Sequence, residues 1–337
     1  MKSKYVLILL IIIQFMLVTS AYPADVASTT IVQMDKAETI IYGESRRGGL
    51  IDRLNDLETM LFGRSLPGTI SERQMQLFNF IQTGISEQPS LLFKLGVAEW
   101  AVSQTVQPFI PALGRLQKLE QELDGVIQEG KPVAMRVERI LSMLLTNPVS
   151  QKELEVSSDK PLKAQFLEKI GPGKSRKGDS VNIDLLEDFT IDNYLIAPKG
   201  SRIVAEVAEV KRPGAFGRKG EVKVALKYLQ VLGPEEVKVN FVDPGTLGKG
   251  GEKNVAAAAG TSIVSTAILG PVGLLAGLLI RGDSLDVKEG TQFYLQFSER
   301  TRISVFPIPN GLMRIDNPSS DNSANLDSNE IILIDTP

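Results

Sequence analysis

A twenty-residue pattern written twice in succession constrains this chain more than any other feature. "KAETIIYGESRRGGLIDR" occupies residues 36–53 and "DLETMLFGRSLPGTISER" residues 56–73. Superposed at an offset of twenty, Glu38 falls on Glu58, Thr39 on Thr59, Tyr42 on Phe62, Gly43 on Gly63 and Arg53 on Arg73. In the second copy Leu54, Leu57, Leu61 and Phe62 follow spacings of three and four, which puts them on one face of a short helix. Gly63 stands where a helix closes on a left-handed residue. Pro67 and Gly68 then mark a turn, after which Ser71 and Glu72 are expected to open the next helix. A helix this short cannot hide its apolar face alone, so copies must pack on one another or on a partner.

The frame returns further along. "RLQKLEQELDG", residues 115–125, keeps Arg115, Leu119, Glu120 and the terminal Gly125. "RVERILSMLLTN", from Arg136, keeps the arginine and the apolar spacing but loses the acid and the glycine. Four copies therefore stand in two tandem pairs. The plain reading is helix-on-helix packing with surface charge pairs of the Arg53–Glu58 kind; the functional reading is an adhesive module that docks a wall polymer or another envelope protein. Between the pairs, "SLLFKLGVAEWAVSQTVQPFIPALG" carries no charge from 101 to 114 and holds the sole tryptophan, Trp100. It is expected to be a buried helix ended by Pro108 and Pro111, the alternative being a face turned to a membrane or a partner.

The Leu-Glu-x-x-Leu-Phe-Gly pattern of residues 57–63 resembles short repeats in exported bacterial envelope proteins, over roughly residues 30–148. That resemblance implies an envelope setting and no defined reaction.

The N-terminus agrees with export. Lys2 and Lys4 precede a fourteen-residue apolar run, "YVLILLIIIQFMLV", then "TSA". Small residues Thr19 and Ala21 suit signal peptidase, and the run is short for a span of about twenty residues. A cleaved signal over 1–21 is expected, an uncleaved anchor being the alternative. Cleavage removes Lys2 and Lys4 and no acid, taking the net charge from −3 to −5. A mildly acidic chain lacks the electrostatic footprint for nucleic acid. With no cysteine and no histidine, there is no lipid-bearing cysteine, no thiol nucleophile and neither of the best zinc ligands. No cofactor or metal is expected. Carboxylate chemistry stays open, with Asp188, Glu206 and Glu209 as candidates, although these read as outward positions of alternating strands.

A chain of 337 residues has room for two domains. Helical patterning stops near residue 150, so 22–150 reads as a helical repeat region and 151–179, with Gly171, Pro172, Gly173 and Gly178, as a linker. "GPGKS" is not a phosphate loop, because Glu168 stands where the motif's first glycine belongs and no apolar helix follows. From 180 to 307 the period becomes two: "SRIVAEVAEV", "EVKVALKYLQV", "EVKVNFVD" and "TQFYLQFSE" alternate apolar and polar residues. "APKGSRIVAEV" and "DVKEGTQFYLQF" look alike, Gly200 and Gly290 each entering a strand, as equivalent edges of one small barrel or sandwich would.

"PKGSRIVAEVAEVKRPGAFGRKGEVKVALKYLQV" resembles a small all-β module of exported bacterial proteins, written with Pro-x-Gly-Thr, a Gly-Arg-x-Gly loop and an aromatic strand. Ser201 replaces the usual threonine, while Phe216, Gly217, Arg218 and Gly220 match the loop. The resemblance covers about residues 180–300 and implies a β fold with a Gly/Ala-rich insert. Here the insert is 254–280, twenty-seven residues without charge, punctuated by Gly260, Gly270, Pro271, Gly273 and Gly277. Gly273 and Gly277 are spaced for close helix contact, and Gly270 with Pro271 favours a hairpin over one straight helix. It can pack on the sheet, enter or rest on a membrane, or form a self-association seam. The polar tail, 308–337, is expected to be disordered.

The fold class expected is α+β: a helical repeat region, then a small β-barrel or sandwich carrying the insert. The function expected is a non-catalytic, exported cell-envelope protein, periplasmic or membrane-associated, that docks a wall polymer or envelope protein and contacts no nucleic acid. The alternatives are a component of an export or conjugation assembly, for which a homo-oligomer would speak, and a carboxylate-based wall hydrolase.

Overall fold

The computed structural model describes residues 24–156, 161–214, 220–242, 278–282, 287–309 and 312. The signal segment 1–21, the loop residues Phe216, Gly217 and Arg218, the insert positions Gly260, Gly270, Pro271, Gly273 and Gly277, and nearly all of the tail lie outside them.

Among the described residues six α-helices come first: α1 (Ala24–Tyr42), α2 (Leu50–Phe62), α3 (Ile70–Phe78), α4 (Leu91–Ser103), α5 (Ala112–Asp124) and α6 (Val133–Leu144). Their burial repeats at the offset read from the sequence. Met34, Ala37 and Ile41 of α1, Leu54, Leu57 and Leu61 of α2, and Leu77 of α3 with Ile81 beyond it are all buried. Each of these leucines, isoleucines and Met34 contributes roughly 1.5–3 kcal/mol by leaving water. Gln74 occupies the place of Met34 and Leu54, and its amide donates to the Thr30 carbonyl at 3.1 Å, tying α3 back to α1.

Caps explain the helix ends. Gly43, Gly63 and Gly125 all have φ between 70° and 93°, and Gly63 N–H returns to the Thr59 carbonyl at 2.8 Å. These are left-handed stops that a Cβ disfavours. α3 opens one residue earlier than Ser71, at Ile70. Thr69 is its N-cap, accepting from the Glu72 N–H while the Glu72 carboxylate accepts from Thr69, a reciprocal box worth about 1 kcal/mol. α4 also departs from expectation. It stops at Ser103 on a left-handed Gln104 (φ 55°), four residues before Pro108, and Pro111 instead caps the start of α5. α4 is apolar nearly all round because it is central, touching α5, α6 and the turn after α3.

Twelve strands follow among the described residues. Four form one sheet in the order β1 (Lys152–Val156), β12 (Thr301–Pro307), β5 (Tyr194–Ala197), β4 (Phe189–Ile191). The larger antiparallel sheet runs β10 (Leu278–Gly282), β7 (Gly220–Gln230), β6 (Arg202–Lys211), β3 (Ser180–Leu185), β2 (Leu162–Phe166), β11 (Gln292–Phe297), β9 (Val239–Phe241). β8 (Glu236–Val237) pairs with β7, and β9 directly after it pairs with β11. One short segment thus bridges the two sides, and the sheet is a nearly closed barrel. Its interior is filled by Ala164, Phe166, Ile183, Leu185, Ile203, Val222, Val224 and Leu295, all buried.

Two expectations need correction. Residues 151–179 are not a mere linker: β1 and β2 lie there, and "LKAQF" alternates buried and half-buried positions as a barrel strand must. The insert is expected to run as a hairpin to 280, yet Leu278, Leu279 and Ile280 pair with Val224, Lys223 and Val222 of β7, while 254–277 lie outside the described residues. Leu and Ile serve a strand as readily as a helix, and periodicity alone cannot separate the two in a short apolar run.

The chain through Pro307 is one compact unit, helices and sheets together; the described part of the remainder is a single turn in which Leu312 N–H meets the Pro309 carbonyl at 2.9 Å. Among the described residues no helix is long and apolar enough to cross a membrane.

Candidate functional site

The repeat residues converge on one contact, made four times. Glu38 near the end of α1 accepts from Arg53 Nε (3.0 Å) and Nη2 (2.6 Å) and from the backbone N–H of Arg46 (2.7 Å). Glu58 does the same with Arg73 (3.0 and 2.6 Å) and the N–H of Leu66 (3.0 Å). Glu99 takes Arg115 (2.8 and 2.7 Å) and Gln107 N–H (3.2 Å). Glu120 takes Arg136 (2.8 and 2.6 Å) and Gln128 N–H (3.1 Å). Each glutamate therefore clasps the loop eight residues on and the next helix fifteen or sixteen residues on. All four carboxylates are buried, Glu58 and Glu120 completely.

The pairing is not the surface Arg53–Glu58 kind expected from helical spacing. Arg53 reaches back to the preceding helix, where it also meets Asp35 at 2.5 Å. A planar guanidinium offers two parallel N–H groups to one carboxylate, a fit that lysine cannot supply. The Glu38 and Glu58 hydrogen bonds hold Arg53 and Arg73 even more firmly protonated than a free arginine. A half-buried companion pair, Arg139–Asp124, links α6 to α5, and its hydrogen bond holds Asp124 below the usual carboxylate range.

The two tandem sets meet through the glycine stops. A Cβ on Gly43 would lie 2.8 Å from Pro111 Cγ, and one on Gly63 would lie 2.9 Å from Pro132 Cγ. The prolines that begin α5 and α6 thus sit on the glycines that end α1 and α2. Of the other motif positions, Leu57 and Leu119 are core, Phe62 stacks edge-on with Phe80 at 4.7 Å, and Tyr42 lies under the Arg46 guanidinium at 3.6 Å. Burial raises the Tyr42 phenol above its ordinary pKa, against the opposing pull of Arg46. Glu99 escaped the sequence reading because Gln104 replaces the expected glycine.

The helices join the barrel at a compact seam. Trp100 Nε1 donates to Asp188 Oδ2 at 2.7 Å, and Asp188 Oδ1 accepts from Lys199 N–H at 2.7 Å. Val106 N–H meets the Lys199 carbonyl at 2.9 Å. Gly200 is left-handed (φ 84°), and a Cβ there would lie 2.4 Å from the Val106 carbonyl oxygen. Gly200 and Gly290 are equivalent, as their sequences suggested: Gly200 N–H meets Leu185 O and Gly290 N–H meets Phe166 O, both at 2.8 Å. Gly220 packs on Pro172, 2.6 Å from its built Cβ. Asp188 is thus committed to Trp100, while Glu206 pairs with Lys227 and Glu209 with Lys211 on the outer barrel face.

Beside the seam opens a cleft of about 530 Å³. The end of α1, the 106–112 loop, the start of β6 and the β7–β8 turn line it. Sequence reasoning gave no sign of it, because its walls come from segments far apart in the chain. Comparison with protein-family models, with curated proteins and with solved structures found no match.

Proposed function

We propose that this chain is a non-catalytic, exported cell-envelope protein whose six helices are two tandem sets of a docking repeat, fixed to a β-barrel module that presents them to a wall or envelope partner. The observation that carries the reading is the fourfold Glu–Arg clasp. It spends its charges inward, on loop and helix geometry, and so yields a stiff array whose outer faces are unencumbered by that network. The three carboxylates that a hydrolase would have drawn on are each engaged by Trp100 or a lysine, which favours docking over hydrolysis. The lysine-flanked apolar start and the uncharged insert agree with an envelope address and with membrane contact through the hairpin.

Fractionation of cells producing the full chain, beside a form lacking 254–277, tests this. That deletion leaves β10 in place. Processing after Ala21 and recovery in the envelope or periplasm are expected. A chain that keeps its first residues and stays in the cytosol overturns the reading. Loss of membrane pelleting in the deletion assigns membrane contact to the hairpin; unchanged behaviour leaves the helical array as the docking element.

A further inference from the structure

We propose that the cleft between helices and barrel is a carboxylate-binding subsite, with Arg202 as the reading residue; the proposal deepens the docking function and rests on it. Arg202 opens β6, and its guanidinium stands over the Phe109 ring at 5.0 Å from the centroid. Its Nε is enclosed by protein and has no hydrogen-bond partner. Every other arginine that lines this cleft or the clasps around it is spent: Arg115, also on the cleft wall, is held by Glu99 at 2.7 Å. Among the described residues, Arg202 and Lys36 are the cleft cations without a carboxylate.

The acids nearby are occupied differently. Glu235 accepts from Ser304 Oγ at 2.8 Å through Oε1, while its Oε2 is enclosed by protein without a hydrogen-bond partner. Glu236 is hydrogen-bonded to Tyr228, whose phenol is raised chiefly by burial. Neither pairs with Arg202. A stacked guanidinium keeps its edge in a fixed plane, and that edge presents two N–H groups at the spacing of two carboxylate oxygens. An aromatic face beneath it adds cation–π attraction and fixes the plane. The cleft's volume lies in the range that encloses a small ligand or a few peptide residues, and Phe109 and Ile110, both partly exposed, put apolar surface beside the guanidinium. The ligand class that fits is a peptide end or side chain carrying a free carboxylate.

The test titrates the full chain, ¹⁵N-labelled at arginine, in low-salt buffer and follows the Arg202 Nε–H signal, assigned by its absence in R202Q. The probes are acetyl-Ala-Ala with a free C-terminus, the same dipeptide as its amide, and inorganic phosphate. A saturable shift with the free acid is expected, at least tenfold weaker with the amide; isothermal titration calorimetry with the same probes, which also reads variants that lack the Arg202 signal, is expected to show the affinity weakened tenfold or more in R202K. Trp100 emission checks that the variants keep the seam. Equal response to acid and amide overturns the proposal, as does acid binding that survives in R202Q. A response to phosphate with none to the acid overturns the carboxylate assignment. Envelope recovery of R202Q at wild-type level, with the probe result negative, removes the subsite and leaves the docking function standing.

Discussion

Removing Arg136 while leaving Glu120 is the sharpest perturbation of the helical array. Glu120 is completely buried and Arg136 is 4% exposed, and two hydrogen bonds of 2.8 and 2.6 Å join them. R136M keeps the aliphatic volume and strands a carboxylate in the core, which costs about 3–5 kcal/mol for a buried pair. The partner change, E120L with R136M, removes both charges, and replacing such pairs by apolar groups is often neutral. Here it should not be fully neutral, because Gln128 N–H loses its acceptor at 3.1 Å, and an unsatisfied buried donor costs about 1–3 kcal/mol. The double variant is therefore expected between wild type and R136M. Urea unfolding of the full chain, followed by far-UV circular dichroism and read as a double-mutant cycle, measures this. A loss below about 1 kcal/mol in R136M, the level of an exposed pair, would show that the clasp does not organise the helices. A double variant as unstable as the single would place the cost in packing and not in charge.

Other outcomes follow from single contacts. G125A, with φ 70° and nothing within 4 Å of the new Cβ, should cost only left-handed strain, about 1–2 kcal/mol. G200A adds a backbone collision at 2.4 Å to the same strain, so its melting temperature should fall well below that of G125A in parallel calorimetry. W100F deletes the indole donor to Asp188 while Lys199 N–H stays, so a loss of about 1.5–3 kcal/mol, that of one hydrogen bond to a charged group, is expected by the same method. Hydrogen bonds from Thr69, its backbone N–H first, hold Glu72 below the usual range. A depressed folded value means that this stability is present above the unfolded pKa and is lost as pH falls through the folded one, and T69P, which removes both donors, should return Glu72 to the ordinary range in a ¹³C carboxyl titration. Asp184 runs the other way: burial raises its pKa, so its ionisation weakens the fold as pH rises above the unfolded value of about 3.9. D184N should therefore stabilise the chain at neutral pH relative to wild type, and a destabilisation would refute the assignment.

What the sequence disclosed depended on whether the cause was local. Gly63 and Gly125 announced helix stops because a left-handed residue leaves a mark at one position. The alternation of "RIVAEVAEV" announced a strand for the same reason, and the likeness of "PKGS" to "KEGT" announced two equivalent turns. Glu99 was hidden because the left-handed stop after it is Gln104, where the other copies have glycine. β1 and β2 were hidden because five-residue strands set among glycines and lysines carry few periods to count. The 106–112 loop, the start of β6 and the β7–β8 turn meet only in the folded chain, so no window of sequence contained the cleft.

The clasp also explains why glutamate and arginine recur where leucine and methionine would pack. An apolar pair could fill the same volume, but it would place no constraint on the loop between the helices. The glutamate carboxylate has acceptor sites left over after a bidentate arginine, and it uses one on a backbone N–H eight residues ahead at distances of 2.7 to 3.2 Å. One side chain thereby sets helix, loop and next helix together. It tolerates a loop of either length, since Arg53 and Arg73 lie fifteen residues on and Arg115 and Arg136 sixteen. The arginine is always four residues past the N-cap, at Gly49, Thr69, Pro111 and Pro132, so the register is counted from the new helix and not from the old one. A one-residue loop insertion before Gly49 should therefore be absorbed with the Glu38–Arg53 pair intact, whereas one between Gly49 and Arg53 should turn the arginine about 100° around its helix and break it. Arg53 Nε–H chemical shifts in the two insertions decide the matter: equal loss of the bonded signal would mean that loop length, not helix phase, governs the clasp.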